Sequence, residues 1–586
     1  MNTNDENKIS NAMSTNEENK MPALSRRDAL KLAGLTMGGL AAGGASSAQP
    51  GGWPPGGGPG CKPPPDPEDF YPTRVKTDRY SYFDNLPPIT PWGKDIKGKV
   101  TGTKLRRDEM RITFMGSVVP MARRAQAEMS VFVEVGWDDE KQQPLDQFIF
   151  DFGCGVSANY QACGVGYGRM DKIFINHLHG DHVSDLIQVY GFGNGGDRKS
   201  PLYLWGNGNS GVKNPGMDPP VNQGINPATG KPYPQPNTYL AAPEYYNDGI
   251  KAFCHHLREA LRWHTESQAF QGSAYEGYPN PQEIKDNWNL PHLPVPAGEY
   301  PDPPNDANAL IPIELDWTEN GLNEDGTPNG LNVAYHNTDT KAKVLHYPVI
   351  HCRAGSLGYK LEWTPPGARK PLTMVYSSDT KPEWNSIDHA INKDAKGNPQ
   401  GVDVFIHEMA VAPEIWAMKN QGLSKPGSGD TWDQTVLGMQ TVQNSSHTPQ
   451  GAFGYMLSEI NAVKPPRLAI ATHFPTADDT VTCALESVQK HCPHIKKVGD
   501  QLVWSFDLMV IRVFPDKIEQ RRAVVNDFSF NPPIPAVPDG MLAPKYHNKD
   551  DGTADPFTQI DIPDEIVKAI PPTQEGGPVT YDPDGY

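Results

Sequence analysis

The sequence contains few basic residues for its length. Its 586 residues include 52 Lys and Arg against 70 Asp and Glu, which gives a formal net charge of −18 at pH 7. A field of that sign repels polyanions, so binding a large folded RNA requires a local basic patch. The arginine pairs at 106–107 and 123–124 are too small to form one. We therefore expect a small-molecule ester as substrate and no nucleic acid.

Long apolar runs are also missing, and the mean hydropathy is −0.58. The apolar stretch from Leu32 to Gly44 is too short and glycine-rich to be a membrane span. It follows the pair Arg26 and Arg27 and precedes small residues that end at Ala48. This order is typical of a twin-arginine signal peptide, although an N-terminal helix with incidental arginines is the alternative. We expect export by the twin-arginine translocation machinery into the periplasm or the exterior, without stable membrane insertion.

Cysteine is scarce as well, with seven residues in the chain. Cys154 with Cys163 and Cys483 with Cys492 are close enough in sequence to form disulfides. Spacing alone does not determine connectivity, and burial of free thiols is an equal alternative. The pairs are therefore left unassigned.

Histidine, in contrast, is concentrated at one place. Residues 177–182 read His-Leu-His-Gly-Asp-His and follow the short apolar run 172–176, which predicts a buried strand ending at a loop. On an extended segment, His177 and His179 lie on one side and can share an ion. Asp181 and His182, carried round a turn, can face a second ion. The alternative, a solvated loop with incidental histidines, does not account for four such groups together.

This H-x-H-x-D-H loop resembles the signature of the metallo-β-lactamase superfamily. Upstream, residues 112–117 resemble that fold's opening strand and glycine turn, and residues 148–155 resemble its D-x-G-x-G strand end. The resemblance implies an α/β fold, an αββα sandwich of two mixed sheets with helices outside. In this chain a long loop and helical region is inserted into that fold.

The resemblance also implies the remaining ligands. His351 is similar to the third histidine of the first metal site, Asp379 to the bridging carboxylate and His473 to the last histidine. From the residues alone, each follows a short apolar run and is equally an ordinary polar residue at a strand end. His346 is a rival for the third ligand; His351 is preferred because residues 355–361 resemble the strand that trails this histidine in ribonuclease Z-like members. The implied metal ligands are His177, His179, Asp181, His182, His351, Asp379 and His473.

Two further segments resemble ribonuclease Z enzymes. Glu408 lies in a segment similar to their H-E-A-T motif, and His447 in one similar to their H-S-T motif, with Thr448 in place of serine. In those enzymes the glutamate orients the histidine, which protonates the leaving oxygen. A carboxylate raises imidazole basicity and fixes its tautomer, as a general acid near neutral pH requires. The alternative is a polar pair at a helix start that satisfies backbone groups.

These landmarks predict the organisation of the chain. Residues 1–48 form the signal peptide, and residues 49–110 a Gly/Pro-rich linker and N-terminal extension. The metallo-β-lactamase-fold catalytic domain spans 111–514, with an insertion at about 191–329 that is dense in proline, glycine and asparagine. Residues 515–586 form a Pro-rich C-terminal extension.

The expected function is an exported metal-dependent hydrolase that cleaves a small phosphodiester or sulfate ester through a hydroxide bridging two divalent ions. Imidazole and carboxylate ligands favour zinc but leave manganese and iron open. Asp181, Glu408 and His447 are the candidate catalytic residues, Asp181 by holding a metal and orienting the nucleophile. One alternative is a hydrolase of carboxyl esters, lactones or β-lactams on the same fold; another is a non-hydrolytic metal-containing binding or redox protein.

Overall fold

The computed structural model describes residues 80–94, 98–193, 196–198, 200–212, 246–272, 309–421, 430–497, 499 and 501–525. The predicted signal peptide, most of the linker and insertion, and the C-terminal extension beyond residue 525 lie outside these residues. Two units divide the chain: residues 1–61 with 416–442, and residues 62–415 with 443–586. In the first unit the described residues belong to two helices, Pro413–Gln421 and Asp430–Ser446. Within the described part of the chain, no helix combines the length and apolar character that a membrane crossing requires.

Eighteen strands are found among the described residues of the second unit. In chain order they are β1 (Pro88–Ile89), β2 (Gly93–Lys94), β3 (Val100–Thr101), β4 (Met110–Gly116), β5 (Ser130–Val135), β6 (Asp146–Phe150), β7 (Lys172–Phe174), β8 (Leu202–Asn207), β9 (Leu310–Leu315), β10 (Val333–Asn337), β11 (Ala342–Pro348), β12 (Leu357–Trp363), β13 (Leu372–Tyr376), β14 (Val404–Glu408), β15 (Leu468–Thr472), β16 (Leu502–Trp504), β17 (Met509–Val513) and β18 (Ile518–Ala523). They form a nine-stranded sheet in the order β1-β18-β17-β4-β5-β6-β7-β8-β9, a seven-stranded sheet in the order β10 to β16, and the small pair β2-β3.

The described helices follow or connect these strands. They are α1 (Ser81–Asp84), α2 (Val156–Ala162), α3 (Gly180–Val183), α4 (Leu186–Gly193), α5 (Ile250–Gly272), α6 (Trp384–Ile391), α7 (Pro413–Gln421), α8 (Asp430–Ser446), α9 (Gln450–Val463) and α10 (Asp478–His491). Helix α5 belongs to the predicted insertion.

The two large sheets pack face to face through aromatic side chains. Phe150 of β6 lies with its ring centroid 5.7 Å from Tyr359 of β12 and 6.0 Å from Tyr376 of β13. Because side chains alternate along a strand, Ile149 points the other way, into a buried cluster that includes Tyr160 of α2. On the second sheet, the ring of His407 in β14 lies 5.7 Å from that of Phe453 in α9. The predicted αββα sandwich is confirmed.

Strand direction brings the site residues to one edge. β6, β7, β8 and β9 are parallel neighbours, and so are β13, β14, β15 and β16. β11 has the same direction as β13, because both are antiparallel to β12. The carboxyl ends of parallel strands lie at the same edge of a sheet, which is where ligands bind in open α/β sheets. The candidate ligands follow β7, β11, β13 and β15, so the topology assembles them.

The cysteines of the two candidate disulfide pairs are free thiols. Burial raises the pKa of the Cys163 thiol to about 12. This residue therefore behaves as a small buried apolar group rather than as a reactive one.

Candidate metal centre

A first ligand cluster forms from three histidines. His177 Nε2 and His351 Nε2 lie 3.0 Å and 3.1 Å from His179 Nδ1. His177 and His351 are buried and His179 is exposed. Desolvation of its ring atoms where they face the cluster, reinforced by the neighbouring imidazoles, lowers the pKa of His179 to about 4, so this ring is neutral at pH 7. His346 lies within β11 and is not part of the cluster; the structure brings His351 to it instead.

A second ligand cluster contains two carboxylates and two histidines, all buried: Asp181, His182, Asp379 and His473. Asp181 Oδ2 lies 3.3 Å from His182 Nε2 and 3.1 Å from His473 Nε2. Asp379 Oδ1 lies 3.5 Å from His182 Nε2 and 3.3 Å from His473 Nδ1. These four side chains enclose one position for a cation.

Asp379 connects the two clusters. While Oδ1 faces the second cluster, Oδ2 lies 3.8 Å from His351 Nε2 and 4.0 Å from His177 Nε2 of the first. The structure places this carboxylate between the two clusters, and its role as a bridging metal ligand stays a prediction. One side chain can contribute charge to two cations at once.

Buried polar atoms in the second cluster show that its residues fit a cation. His182 Nε2, Asp379 Oδ1 and His473 Nδ1 are fully buried and have no hydrogen-bond partner among the described residues. Leaving such groups unpaired costs roughly 1–3 kcal/mol each, more if charged, unless something binds them. The clusters contain imidazole and carboxylate donors without a thiolate, a set that suits zinc and also manganese or iron.

The two clusters differ in the protonation of their histidines. Burial alone would lower the pKa of the second-cluster histidines, but their carboxylates outweigh it. The pKa of His473 rises to about 10, chiefly through Asp379, and that of His182 rises well above its usual range, chiefly through Asp181 and Asp151. Without a cation, protons therefore neutralise the buried carboxylates of this cluster.

Asp151, which the sequence analysis did not identify as a site residue, orients His182. Its Oδ2 accepts hydrogen bonds from His182 Nδ1 at 2.8 Å, the Tyr376 hydroxyl at 2.8 Å and Ser378 Oγ at 3.1 Å. A carboxylate on the far nitrogen fixes the tautomer of a metal-ligating histidine and increases its basicity. The signal was present in the D-x-G-x-G segment, but an aspartate at a strand end has no visible partner in the sequence.

The backbone at three site residues is strained. Asp151, Ser378 and His473 have φ of 60°, 53° and 63°, which non-glycine residues rarely adopt. Such conformations persist only where the surrounding contacts fix them, and they are concentrated at functional sites.

Glu408 and His447 meet beside the bridging carboxylate. His447 Nδ1 lies 2.9 Å from Glu408 Oε2 and 3.9 Å from Asp379 Oδ2. The backbone N–H of Thr380 donates to the other oxygen of Glu408. Burial would lower the pKa of His447, but the charge of Glu408 and its hydrogen bond raise it to about 9. The side chain of His447 is 22% exposed, whereas that of Glu408 is buried, so the imidazole is the accessible member of the pair.

The His447 side chain does not cap helix α9, which begins three residues later. Helix α9 has Pro449 at its N-cap and no side-chain cap hydrogen bond. The imidazole instead faces the ligand clusters. This arrangement gives the residue the position that a general acid needs, and its catalytic role stays a prediction.

No family model matches the chain, but curated proteins do. It is 36% identical over 100 residues to a ribonuclease Z of Halorubrum lacusprofundi, a match that covers 16% of this chain and 28% of that protein. It is 31% identical over 102 residues to a ribonuclease Z of Methanothermobacter thermautotrophicus, covering 17% and 29%. The chain thus spans less than a third of the length of these relatives. Over these residues the chain is similar to ribonuclease Z enzymes.

Solved structures of low similarity match as well. The metallo-β-lactamase fold protein YhfI from Bacillus subtilis has a TM-score of 0.34 at 11% identity, covering 69% of this chain and 100% of that one. Human tRNase Z, short form, has a TM-score of 0.33 at 14% identity, covering 69% and 99%. Scores this low carry no argument about function.

The relatives test two predictions about function. The matching ribonucleases support the predicted enzyme class, a metal-dependent hydrolase. The prediction of a small-molecule ester substrate without nucleic acid is wrong, because the matching relatives are ribonucleases. The prediction assumed that the net charge of the whole chain describes the electrostatic field at the site. Residues 526–586 contain eleven acidic and three basic residues, a formal charge of −8. Residues 273–308 contribute a further −5. The total charge therefore says little about the field at the metal centre.

Proposed function

We propose that the chain is a metal-dependent phosphodiester hydrolase that cleaves RNA. The observation that carries this proposal is the position of Asp379, whose two oxygens face two ligand clusters while His447 lies 3.9 Å away. A phosphodiester needs a nucleophile on one side of phosphorus and a proton donor for the leaving oxygen on the other. The similarity to ribonucleases supports RNA as the substrate class.

The seven ligands would hold two divalent cations, with zinc as the first choice and manganese or iron as alternatives. Cations bound there would polarise a phosphoryl oxygen and lower the pKa of an attacking water. Asp379 and Asp181 supply the negative charge that keeps both positions filled, and Asp151 holds the ring of His182 in a fixed orientation. The exposed His179 marks the face from which the phosphate approaches.

Hydrolysis breaks one P–O ester bond as the oxygen of water bonds to phosphorus and a proton of that water is released to solvent. The leaving oxygen takes the proton of His447, which regains one from solvent through its exposed face. With a pKa near 9 the imidazole is protonated at neutral pH, and the Glu408 carboxylate stabilises that form. Positioned acids of this kind contribute roughly 10²- to 10⁴-fold to the rate.

The test uses purified protein with its metal content determined by elemental analysis. Single-stranded RNA, DNA of the same sequence and bis(p-nitrophenyl) phosphate are compared as substrates. We expect cleavage of RNA and of the aryl diester by the wild type, and loss of both with Asp181→Asn. Asp339→Asn, an exposed aspartate in the β10–β11 turn, serves as the charge-matched control. Metal-loaded protein that cleaves lactones or carboxyl esters but no phosphodiester would overturn the proposal.

We also propose that residues 1–48 direct twin-arginine export to the periplasm or the exterior. The pair Arg26 and Arg27 and the small residues before Ala48 support this. Fractionation of cells that express the full chain should find a mature protein starting near Gln49 outside the cytoplasm. The double substitution Arg26→Lys and Arg27→Lys should retain the precursor inside. Equal distribution of both proteins would contradict export by this route.

A further inference from the structure

A cavity of about 360 Å³ opens directly beside the first ligand cluster, with His177, His179 and His351 in its lining. This volume lies in the lower part of the range for small-ligand sites, about 300–1,000 Å³. The rest of the lining includes Asn207 at the end of β8 and His256 of helix α5. The insertion therefore supplies part of a pocket that is continuous with the metal centre.

Asn207, which is one of the residues lining this cavity, carries an unsatisfied acceptor. The residue is 6% exposed, and its Nδ2 donates to the carbonyl of Gly208 at 2.9 Å. Its Oδ1 is buried and has no hydrogen-bond partner in the part of the chain that the structure describes. A buried acceptor of this kind costs free energy unless a ligand donates to it. The missing partner must carry an O–H or N–H group.

Arg353, two residues after His351, is fixed in the same lining. Its Nη2 lies 2.5 Å from Asp248 Oδ2, and its guanidinium is stacked 4.9 Å from the ring centre of Tyr246. The side chain is still 48% exposed. A planar guanidinium held in this way suits a phosphate oxygen, which it can contact without first losing conformational freedom.

We propose that this cavity binds the nucleotide adjacent to the scissile phosphate, with Asn207 Oδ1 accepting a hydrogen bond from the ribose 2′-hydroxyl. The imidazole of His256 contacts the base, and Arg353 contacts the next phosphate. The 2′-hydroxyl is the group by which a protein distinguishes RNA from DNA. The inference rests on the proposed function, and it assigns RNA selectivity to residues outside the metal ligands.

Helix α5 offers a matched pair for the first test. His255 and His256 are neighbours on one helix and both exposed, but only His256 lines the cavity. Base–aromatic stacking is worth about 1–3 kcal/mol per base, and every 1.4 kcal/mol corresponds to about tenfold. His256→Ala should therefore weaken single-stranded RNA binding, measured by fluorescence anisotropy, by roughly fivefold or more, whereas His255→Ala should change it less than twofold. Equal effects of the two substitutions would overturn the role of His256.

The second test replaces the ribose hydroxyl. Wild type and Asn207→Leu are assayed on one RNA oligonucleotide and on copies with a single 2′-deoxy nucleotide on either side of the cleaved bond. One of the two deoxy positions should lower kcat/KM of the wild type by roughly tenfold, as expected for a hydrogen bond to a buried acceptor, and leave Asn207→Leu unaffected. Thermal unfolding of the variant checks that it is folded.

The outcomes separate the two proposals. A wild type that cleaves bis(p-nitrophenyl) phosphate but neither binds nor cleaves RNA would remove the proposed function and the pocket with it. RNA cleavage that is equally insensitive to both deoxy positions would remove only the pocket. An equal loss in wild type and Asn207→Leu would assign the 2′-hydroxyl to another contact and overturn the role of Asn207.

Discussion

The two ligand clusters are neighbours but differ in ligand type and in burial. The first contains three imidazoles, one of them exposed, and opens on the cavity. The second contains two carboxylates and two imidazoles, all buried, with Asp151 behind His182. Buried charge persists only where it is paired. The second cluster is thus the charged, enclosed half of the centre, and the first is the more open half.

This difference explains why one residue matters to both halves. The first cluster has no carboxylate of its own and depends on Asp379 Oδ2 for negative charge. The second has Asp181 in addition. Removing the Asp379 carboxylate should therefore weaken metal binding at the first cluster proportionally more than at the second.

The largest expected effect is that of Asp379→Asn, which keeps the shape and removes the shared charge. We expect fewer than two equivalents of bound metal and a loss of at least about a thousandfold in kcat/KM for RNA, since bound cations supply several kcal/mol of transition-state stabilisation. Elemental analysis and steady-state kinetics measure both. His179→Ala and Asp181→Asn should each remove one equivalent. Two full equivalents of metal in Asp379→Asn would show that metal binding does not depend on a carboxylate shared by the two clusters.

The next effect concerns His447, which lies beside the clusters without belonging to either histidine set. His447→Ala should lower RNA cleavage by roughly 10²- to 10⁴-fold and hydrolysis of bis(p-nitrophenyl) phosphate much less, because nitrophenolate leaves without a proton. Metal content should stay at the wild-type value. Glu408→Gln should produce the same leaving-group pattern in weaker form. Equal losses with both substrates would remove His447 from the acid role.

A smaller effect sharpens the contrast between the clusters. Asp151→Asn should reduce metal affinity about 10- to 100-fold, the usual range for a residue that orients a ligating histidine, and only for the second position. Competition with a chromophoric chelator resolves the two affinities. Tyr376→Phe, which removes one hydrogen bond to the same carboxylate without changing charge, should have a lesser effect. A uniform loss at both positions would show that Asp151 supports the centre as a whole.

The sequence predicted these parts unequally for a physical reason. The loop from His177 to His182 places four ligands within six residues, so its chemistry is visible before folding. His351, Asp379 and His473 are isolated in the sequence, and their assignment needed a resemblance, because only the parallel strand ends bring them together. The role of Asp151 was not visible in the sequence because it depends on the contact that folding makes between the end of β6 and His182.

Two features were beyond sequence reasoning. The contribution of helix α5 to the cavity depends on how Ile250–Gly272 packs beside the end of β8, and no periodicity specifies that. The substrate prediction failed because charge was summed over segments whose distance from the centre the sequence does not give. Net charge limits solubility and association rates, but it does not describe the field in one cleft.

The smallest predicted effect lies behind the second cluster, at Asp507. Its Oδ1 accepts from Ser117 Oγ at 2.7 Å and its Oδ2 from the Ala127 N–H at 2.6 Å, while the carbonyl of Ser117 accepts from the His473 N–H at 3.1 Å. Burial raises the pKa of this carboxyl to about 7. The folded protein therefore binds a proton there at pH values where the unfolded chain, with a pKa of about 3.9, has lost it.

The sign of the pH dependence follows from this. Above the unfolded pKa the free energy of unfolding falls as pH rises, and the loss is complete once pH exceeds about 7. Asp507→Asn, which cannot ionise and can donate to Ser117 Oγ, should abolish this part of the slope. The variant should gain on the wild type between pH 5.5 and pH 8 by roughly 1–2 kcal/mol, since each pKa unit corresponds to about 1.4 kcal/mol. Urea unfolding at both pH values measures the difference. An identical slope in the two proteins would show that the Asp507 carboxyl is ionised in the folded protein. The hydrogen-bond network that contacts His473 through Ser117 would then carry a negative charge.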